Sequence, residues 1–406
     1  MNDLNNLNKK QQRAAKLGAF GERALDWKVN RDHAPILVGE PEKEIWYNVP
    51  IEEGKCGDGS AYHIYMRKGN SNKLCLFLSG GGVALNAYMA ARPLTGPRML
   101  AGLPNYHINN LRPATELMNI RAGLADTNYE QNPFREWNFL LVTYATGDFH
   151  IGDSELEYED EETGSSCIHH FHGAANLRAA MERAKHWFPD PEQLLIAGDS
   201  AGGFAVPAVT PMILEQYYPD CRNVTVFSDS AQLLYRKWKH TVRDIWNADE
   251  PYWQGLDSYN ITVDWYKALY EKYGSRLRYL YAASPRDFLL SSYMNNVVTH
   301  HYVTDAAVQE KYNMQVQRMI TNLKRIIPEF GIFMYEFPNL RMGLGGTVHT
   351  CVRHEWFWLK NPMGITMAEW LLDAVNGNVY DSMNDVFYEL LSENGLAYNE
   401  KKVDKK

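Results

Sequence analysis

The chain has 406 residues, 45% hydrophobic and 22% charged, with a formal net charge of -8. These proportions suit a globular chain with a large core. The acidic balance argues against nucleic acid as a partner, and no apolar run approaches the roughly 20 residues of a membrane span. The five cysteines lack metal-ligand spacing, and Met1 to Arg13 lacks the apolar segment of a secretory signal, so a reduced, cytoplasmic protein with no membrane partner and no metal is expected.

Residues 1–40 read as a charged helical extension and residues 41–406 as a single α/β domain. Residues 44–50 and 61–67 predict strands on either side of the turn Gly57-Asp58-Gly59. Residues 72–78 form a buried strand that runs into Ser79-Gly80-Gly81-Gly82. Residues 84–135 show no periodicity and read as a long excursion over the surface. A buried strand at 138–144 follows, then the loop Ala145 to Gly152, an acidic loop at 153–162 and a helix over 169–187 with Leu177, Ala180, Met181 and Ala184 on one face.

The apolar run Leu194-Leu195-Ile196-Ala197 ends abruptly in Gly198-Asp199-Ser200-Ala201-Gly202-Gly203, with a helix over 203–217 behind it. A strand at 223–227 leads to Ser228-Asp229-Ser230. Residues 231–275 read as a helical insertion rich in Trp and Tyr, suited equally to a lid, a sugar platform or helix packing. A strand at 277–283, a helix over 305–327 and a last strand at 331–337 complete the alternation. Buried strands without internal alternation, separated by helices, predict a mainly parallel sheet covered on both faces: a three-layer, α/β-hydrolase-like fold. In such a sheet the ligand site lies at the C-terminal strand ends.

The segment around Ser200 is a G-x-S-x-G elbow, in which small neighbours let a serine stand at the apex of a sharp strand-to-helix turn. A serine hydroxyl needs a base, and the base needs an orienting acid. In hydrolase order the acid follows a later strand and the histidine follows the last one. Asp287, after the strand at 277–283, fits the acid; Asp229 is its rival, and a helix N-cap is the plain alternative role for either. His349 sits in the loop after the last strand, within Gly343-Leu344-Gly345-Gly346-Thr347-Val348-His349-Thr350, and His354 competes with it. Oxyanion donors are expected from the amide of Ala201 and from the loop Ser79 to Val83. Asp148 and His150 are candidates either for bracing the site or for touching substrate.

Leu78-Ser79-Gly80-Gly81-Gly82 with Asn86, then Tyr144-Ala145-Thr146-Gly147-Asp148-Phe149-His150-Ile151-Gly152-Asp153, Asn176-Leu177 and the elbow together resemble the pectin acetylesterase family, to which the Notum carboxylesterases also belong. The resemblance spans roughly residues 74–355. It implies Ser200 as nucleophile, Asp287 as acid, His349 as base, and Gly81 and Gly82 as oxyanion glycines. The implied activity is release of short acyl groups, most simply acetyl, from an oligosaccharide or other small ester substrate, with no cofactor. An esterase or amidase of unrelated substrates and an inactive binding protein of the same fold are the alternatives. Three positions depart from the family pattern: Asp199 where Cys is usual, Ser79 where Glu is usual, and Val83 where an aromatic is usual. The sequence supplies no partner for Asp199.

Overall fold

The computed structural model describes residues 7–30, 33–159, 164–340 and 344–402. Its strands are β1 (Trp46–Lys55), β2 (Ala61–Arg67), β3 (Lys73–Leu78), β4 (Asn138–Val142), β5 (Ser154–Glu159), β6 (Ser166–Phe171), β7 (Gln193–Asp199), β8 (Val224–Asp229), β9 (Leu277–Ala283) and β10 (Gly331–Met334). Eight of them form one sheet in the order β1-β2-β4-β3-β7-β8-β9-β10. The six strands from β4 to β10 run parallel, and the β1-β2 hairpin adds an antiparallel edge. This is the α/β-hydrolase-like architecture.

Both faces of the sheet are covered, which is why β4, β7 and β8 are buried along their whole length. Alternate residues of β3 serve opposite layers. Leu74, Leu76 and Leu78 join the core beneath helices Gly173–Trp187, Ala201–Met212, Ile261–Tyr273 and Ala306–Ile326. Cys75 and Phe77 face the other layer, with helix Met367–Val375. There Trp370 meets Phe227 and Phe333 at ring separations of 5.7 and 5.3 Å.

Several segments differ from the sequence reading. The expected acidic loop at 153–162 contains β5, paired antiparallel with β6; its residues 160–162 lie outside the described chain. Ser154, Leu156 and Tyr158 are half-buried while Glu155, Glu157 and Glu159 are exposed, a strand alternation hidden by acidic composition. His169 belongs to β6, and the helix begins only at Gly173. The helix behind the elbow starts at Ala201, and its last turn, Ile213–Tyr217, is π-helical. Helix Phe288–Thr299, directly after Asp287, has no counterpart in the sequence reading.

Residues 84–135 are not a surface excursion. Ala84, Leu85, Tyr106 and Phe134 are buried in the two core layers, and Tyr106 and Ile108 bond along the glycine loop through Val83 N to Tyr106 O at 2.8 Å and Ile108 N to Gly81 O at 2.7 Å. The segment lacks periodicity because its backbone is mostly irregular while its side chains fill the core. The 231–275 insertion is helical in short pieces and serves packing. Trp238, Trp246 and Trp265 surround Phe149, which stacks on Phe204 at 4.6 Å. Helix Lys9–Val29 lies on the short helix Gly96–Ala101, with Gly18 so close to the Gly96 carbonyl that a Cβ would not fit.

Candidate active site

Ser200 sits at the end of β7 with φ of 50° and ψ of -124°, in the left-handed region that a serine adopts only when its surroundings enforce it. Two neighbours enforce it. The Ser200 amide bonds to Asp229 O at 2.8 Å. Gly202 lies against the Leu78 carbonyl and Gly198 against Gly202, with no room for a Cβ at either position. Helix Ala201–Met212 starts at once, so the Ala201 amide opens on the serine side of the helix N-terminus.

Asp287 is fully buried, and its two oxygens take different partners. Oδ1 accepts from Leu289 N and Leu290 N, each at 2.9 Å, and caps helix Phe288–Thr299. Oδ2 accepts from His349 Nδ1 at 2.6 Å. The loops carrying the pair are zipped together by Phe288 N to Thr347 O at 3.1 Å and Thr347 N to Arg286 O at 2.9 Å. Gly346 permits this approach, since a Cβ there would stand 2.6 Å from Arg286 O. Of the expected glycine run, Gly343 lies outside the described residues.

Burial disfavours a charged His349, but Asp287, with Asp199 and Asp229 behind it, outweighs burial and holds the imidazole pKa above its ordinary value. His349 Nε2 is buried without a hydrogen-bond partner. Ser200 and His349 line the same cavity, but no hydrogen bond joins them in this state. His354 lines that cavity too; burial, with Arg353 beside it, lowers its pKa to about 4.

Asp229 has other work. Its Oδ2 accepts from Cys351 N at 2.6 Å and Val352 N at 2.9 Å, and its Oδ1 from Tyr335 Oη at 2.8 Å. It therefore holds the backbone just after His349. Burial raises its pKa to about 6, against the pull of these donors.

The glycine loop is fastened from three sides. Tyr144 Oη donates to Gly82 O at 3.1 Å and His150 Nε2 donates to Ser79 O at 2.9 Å. Asp148 in turn binds Thr146 Oγ1 at 2.7 Å, His150 N at 3.1 Å and Gly173 N at 2.8 Å. Neither Asp148 nor His150 lines the cavity. Burial raises Asp148 to a pKa of about 6 and lowers His150 to about 4. The segment Tyr144 to His150 thus braces the glycine loop from behind.

The third fastening involves Asp199. Its Oδ1 accepts from Gly80 N at 3.0 Å, and its Oδ2 pairs with Arg353 at 2.8 Å. Arg353 also donates to Asn119 Oδ1 at 3.0 Å and Gly80 O at 3.3 Å, and Asn119 Oδ1 accepts from Ser79 Oγ at 2.7 Å. Arg353 and Asn119 are the residues that sequence reasoning missed. They lie 154 and 80 positions from Asp199, and no local signal marks them. With Gly80 N occupied, the amides of Gly81, Gly82 and Ala201 find no acceptor among the described residues. Removing one member of a buried ion pair strands the other charge, so Arg353→Met is expected to cost about 3–5 kcal/mol of stability. The double variant Asp199→Asn/Arg353→Met should recover part of that loss, as read by urea unfolding.

These groups open on a cavity of about 740 Å³. Away from Ser200 and His349, Leu94, Met99, Leu103, Ile108, Met118 and Leu289 make much of its wall. No residue of the 231–275 insertion lines it, so that segment is neither lid nor platform here.

Residues 45–237 match the pectinacetylesterase family. That stretch of the chain is similar to the pectinacetylesterase family. No curated protein matches the chain. The matched stretch contains the glycine loop, the Tyr144–His150 brace and Ser200, while Asp287 and His349 lie beyond it. The match supports an esterase, with carbohydrate acetylesterase activity as the general class. Within the matched stretch the acidic side chain beside the glycine loop is Asp199, in the position after Gly198.

Proposed function

We propose that this chain is a serine carboxylesterase that removes acetyl groups from carbohydrate through a Ser200-His349-Asp287 acyl-enzyme mechanism, and that it works in the cytoplasm without a cofactor. The observation that carries the reading is the buried His349–Asp287 pair at 2.6 Å, on the cavity that also holds Ser200 in its strained turn. Ser200 Oγ attacks the ester carbonyl. His349 Nε2, free of any other partner, takes the hydroxyl proton and passes it to the leaving alcohol. Asp287 holds the tautomer with hydrogen on Nδ1. The amides of Gly81, Gly82 and Ala201 receive the charge that develops on the carbonyl oxygen. Water, deprotonated by His349, then releases the acid.

A fluorophosphonate probe tests the class. Labelling of the folded protein at Ser200 is expected, and failure to label removes the enzyme reading. The apolar wall formed by Leu94, Met99, Leu103, Ile108, Met118 and Leu289 favours a second reading, in which the acyl group or the alcohol is larger and less polar. A p-nitrophenyl ester series decides between them. Faster hydrolysis of acetate than octanoate, with acetate release from acetylated oligosaccharide, supports the first; octanoate preference supports the second.

A further inference from the structure

Helix Lys9–Val29 has its faces arranged in an unusual way. Gly18 and Val29 are buried against the domain. Its two acids, Glu22 and Asp26, turn inward as well: Glu22 accepts from Gly96 N, and Asp26 accepts from Ala114 N and Arg112 Nε, each at 3.1 Å. The outward face carries Leu17, Phe20 and Trp27, exposed by 64%, 65% and 65%, together with exposed Ala24. At 100° per residue these four fall within about 80° of one another. Lys16 and Arg23 flank the stripe on one side and Lys10 and Lys28 on the other, with Lys9 and Arg13 along it, all exposed.

An apolar stripe bordered by four cations and carrying two more along it, with no acid on the outer face, stands on a chain whose net charge is -8. A solvated helix has no use for that arrangement, since exposed Phe and Leu in a row cost solubility. It matches what an anionic bilayer surface requires: rings and Leu entering the acyl boundary while Lys and Arg reach phosphate headgroups. The helix rests on Gly96–Ala101, whose Met99 is 41% exposed and lines the catalytic cavity, as does Leu94 at 40%. The stripe-bearing helix therefore packs on a segment that also lines the cavity.

We infer that helix Lys9–Val29 docks this esterase on anionic lipid surfaces. The expectation of no membrane partner rests on the want of a spanning segment, and no described helix is long and apolar enough to cross a membrane. A helix lying in the interface is not subject to that criterion.

Vesicle sedimentation of the full chain tests the inference. Binding to phosphatidylcholine vesicles containing phosphatidylserine is expected at low ionic strength, with little binding to phosphatidylcholine alone and progressive release by salt. Each cation removed should weaken partitioning about fivefold, so Lys16→Glu/Arg23→Glu should lose binding. Leu17→Glu/Phe20→Glu should lose it too, while hydrolysis of soluble p-nitrophenyl acetate stays at the wild-type rate and shows that the variants are folded. Three results would overturn the inference: no binding to the anionic vesicles, undiminished binding by both double variants, or a wild-type dimer that either variant converts to monomer. The last would assign the stripe to a second copy of the chain.

Discussion

Ser200→Ala is expected to lower kcat for p-nitrophenyl acetate by about 10⁴-fold or more, with KM little changed, because the nucleophile acts in the chemical step and not in uniform binding. What remains should be the modest catalysis that amide donors and a shaped cavity provide without covalent chemistry. The turn adds a second, independent expectation. Ser200 holds φ at 50°, a conformation that costs a side chain of order 1–3 kcal/mol. Alanine keeps that strain, and glycine relieves it. Ser200→Gly should therefore be as inactive as Ser200→Ala and more stable than the wild type by about 1 kcal/mol, visible as a raised Tm. A glycine variant that is both inactive and less stable would mean that the serine hydroxyl itself holds the elbow. An alanine variant retaining more than about 1% of kcat would exclude Ser200 as nucleophile.

Asp287→Asn separates the two functions of that carboxylate. Asparagine retains an oxygen that can accept from Leu289 N and Leu290 N, so the cap on helix Phe288–Thr299 should survive and Tm should move little. At Oδ2 the change is severe. The amide cannot accept from Nδ1 while supplying the charge that favours an imidazolium during proton transfer, and kcat is expected to fall by about 10⁴-fold.

The pH profile gives the sign. In the proposed mechanism the base is neutral His349, so activity should be lost as pH falls through its pKa. In the wild type Asp287 outweighs burial and holds that pKa above the ordinary value near 6.5, which places the acid limb of kcat/KM above that pH. Without the Asp287 charge, burial is opposed only by the more distant Asp199 and Asp229, and the limb of the residual activity should move to lower pH. An unmoved limb would show that another carboxylate sets the base. Asp287→Ala makes the converse comparison, since it also removes the cap and should lose about 1 kcal/mol of stability.

How much of this was legible in the sequence depended on how local each signal was. Unbroken apolar runs at β3, β4 and β7 betray strands covered on both faces, because a strand's two sides are both written within the five to seven residues of each. Gly198 to Gly202 is legible for the same reason, as every clash the glycines avoid lies within a few residues or on the neighbouring strand. The β5-β6 hairpin was hidden because three glutamates on its open face look like a loop until the partner strand is known. Residues 84–135 were hidden because irregular backbone has no period, although Tyr106 and Phe134 are as buried as any strand residue.

By itself the sequence determined the main sheet, the elbow, and the chain order of the candidate acid and base. Those depend on short-range periodicity, turn chemistry and chain order, which the chain carries wherever it folds. Only the tertiary structure decided which carboxylate meets the histidine. Asp229 and Asp287 both end strands, but one turns to the backbone at Cys351 and Val352 and the other to the His349 ring. It alone also explained Asp199, whose charge is balanced by Arg353 from the far end of the chain. A buried charge is tolerable only beside its partner, and that partner is chosen by packing in space, across a separation that no sequence pattern records.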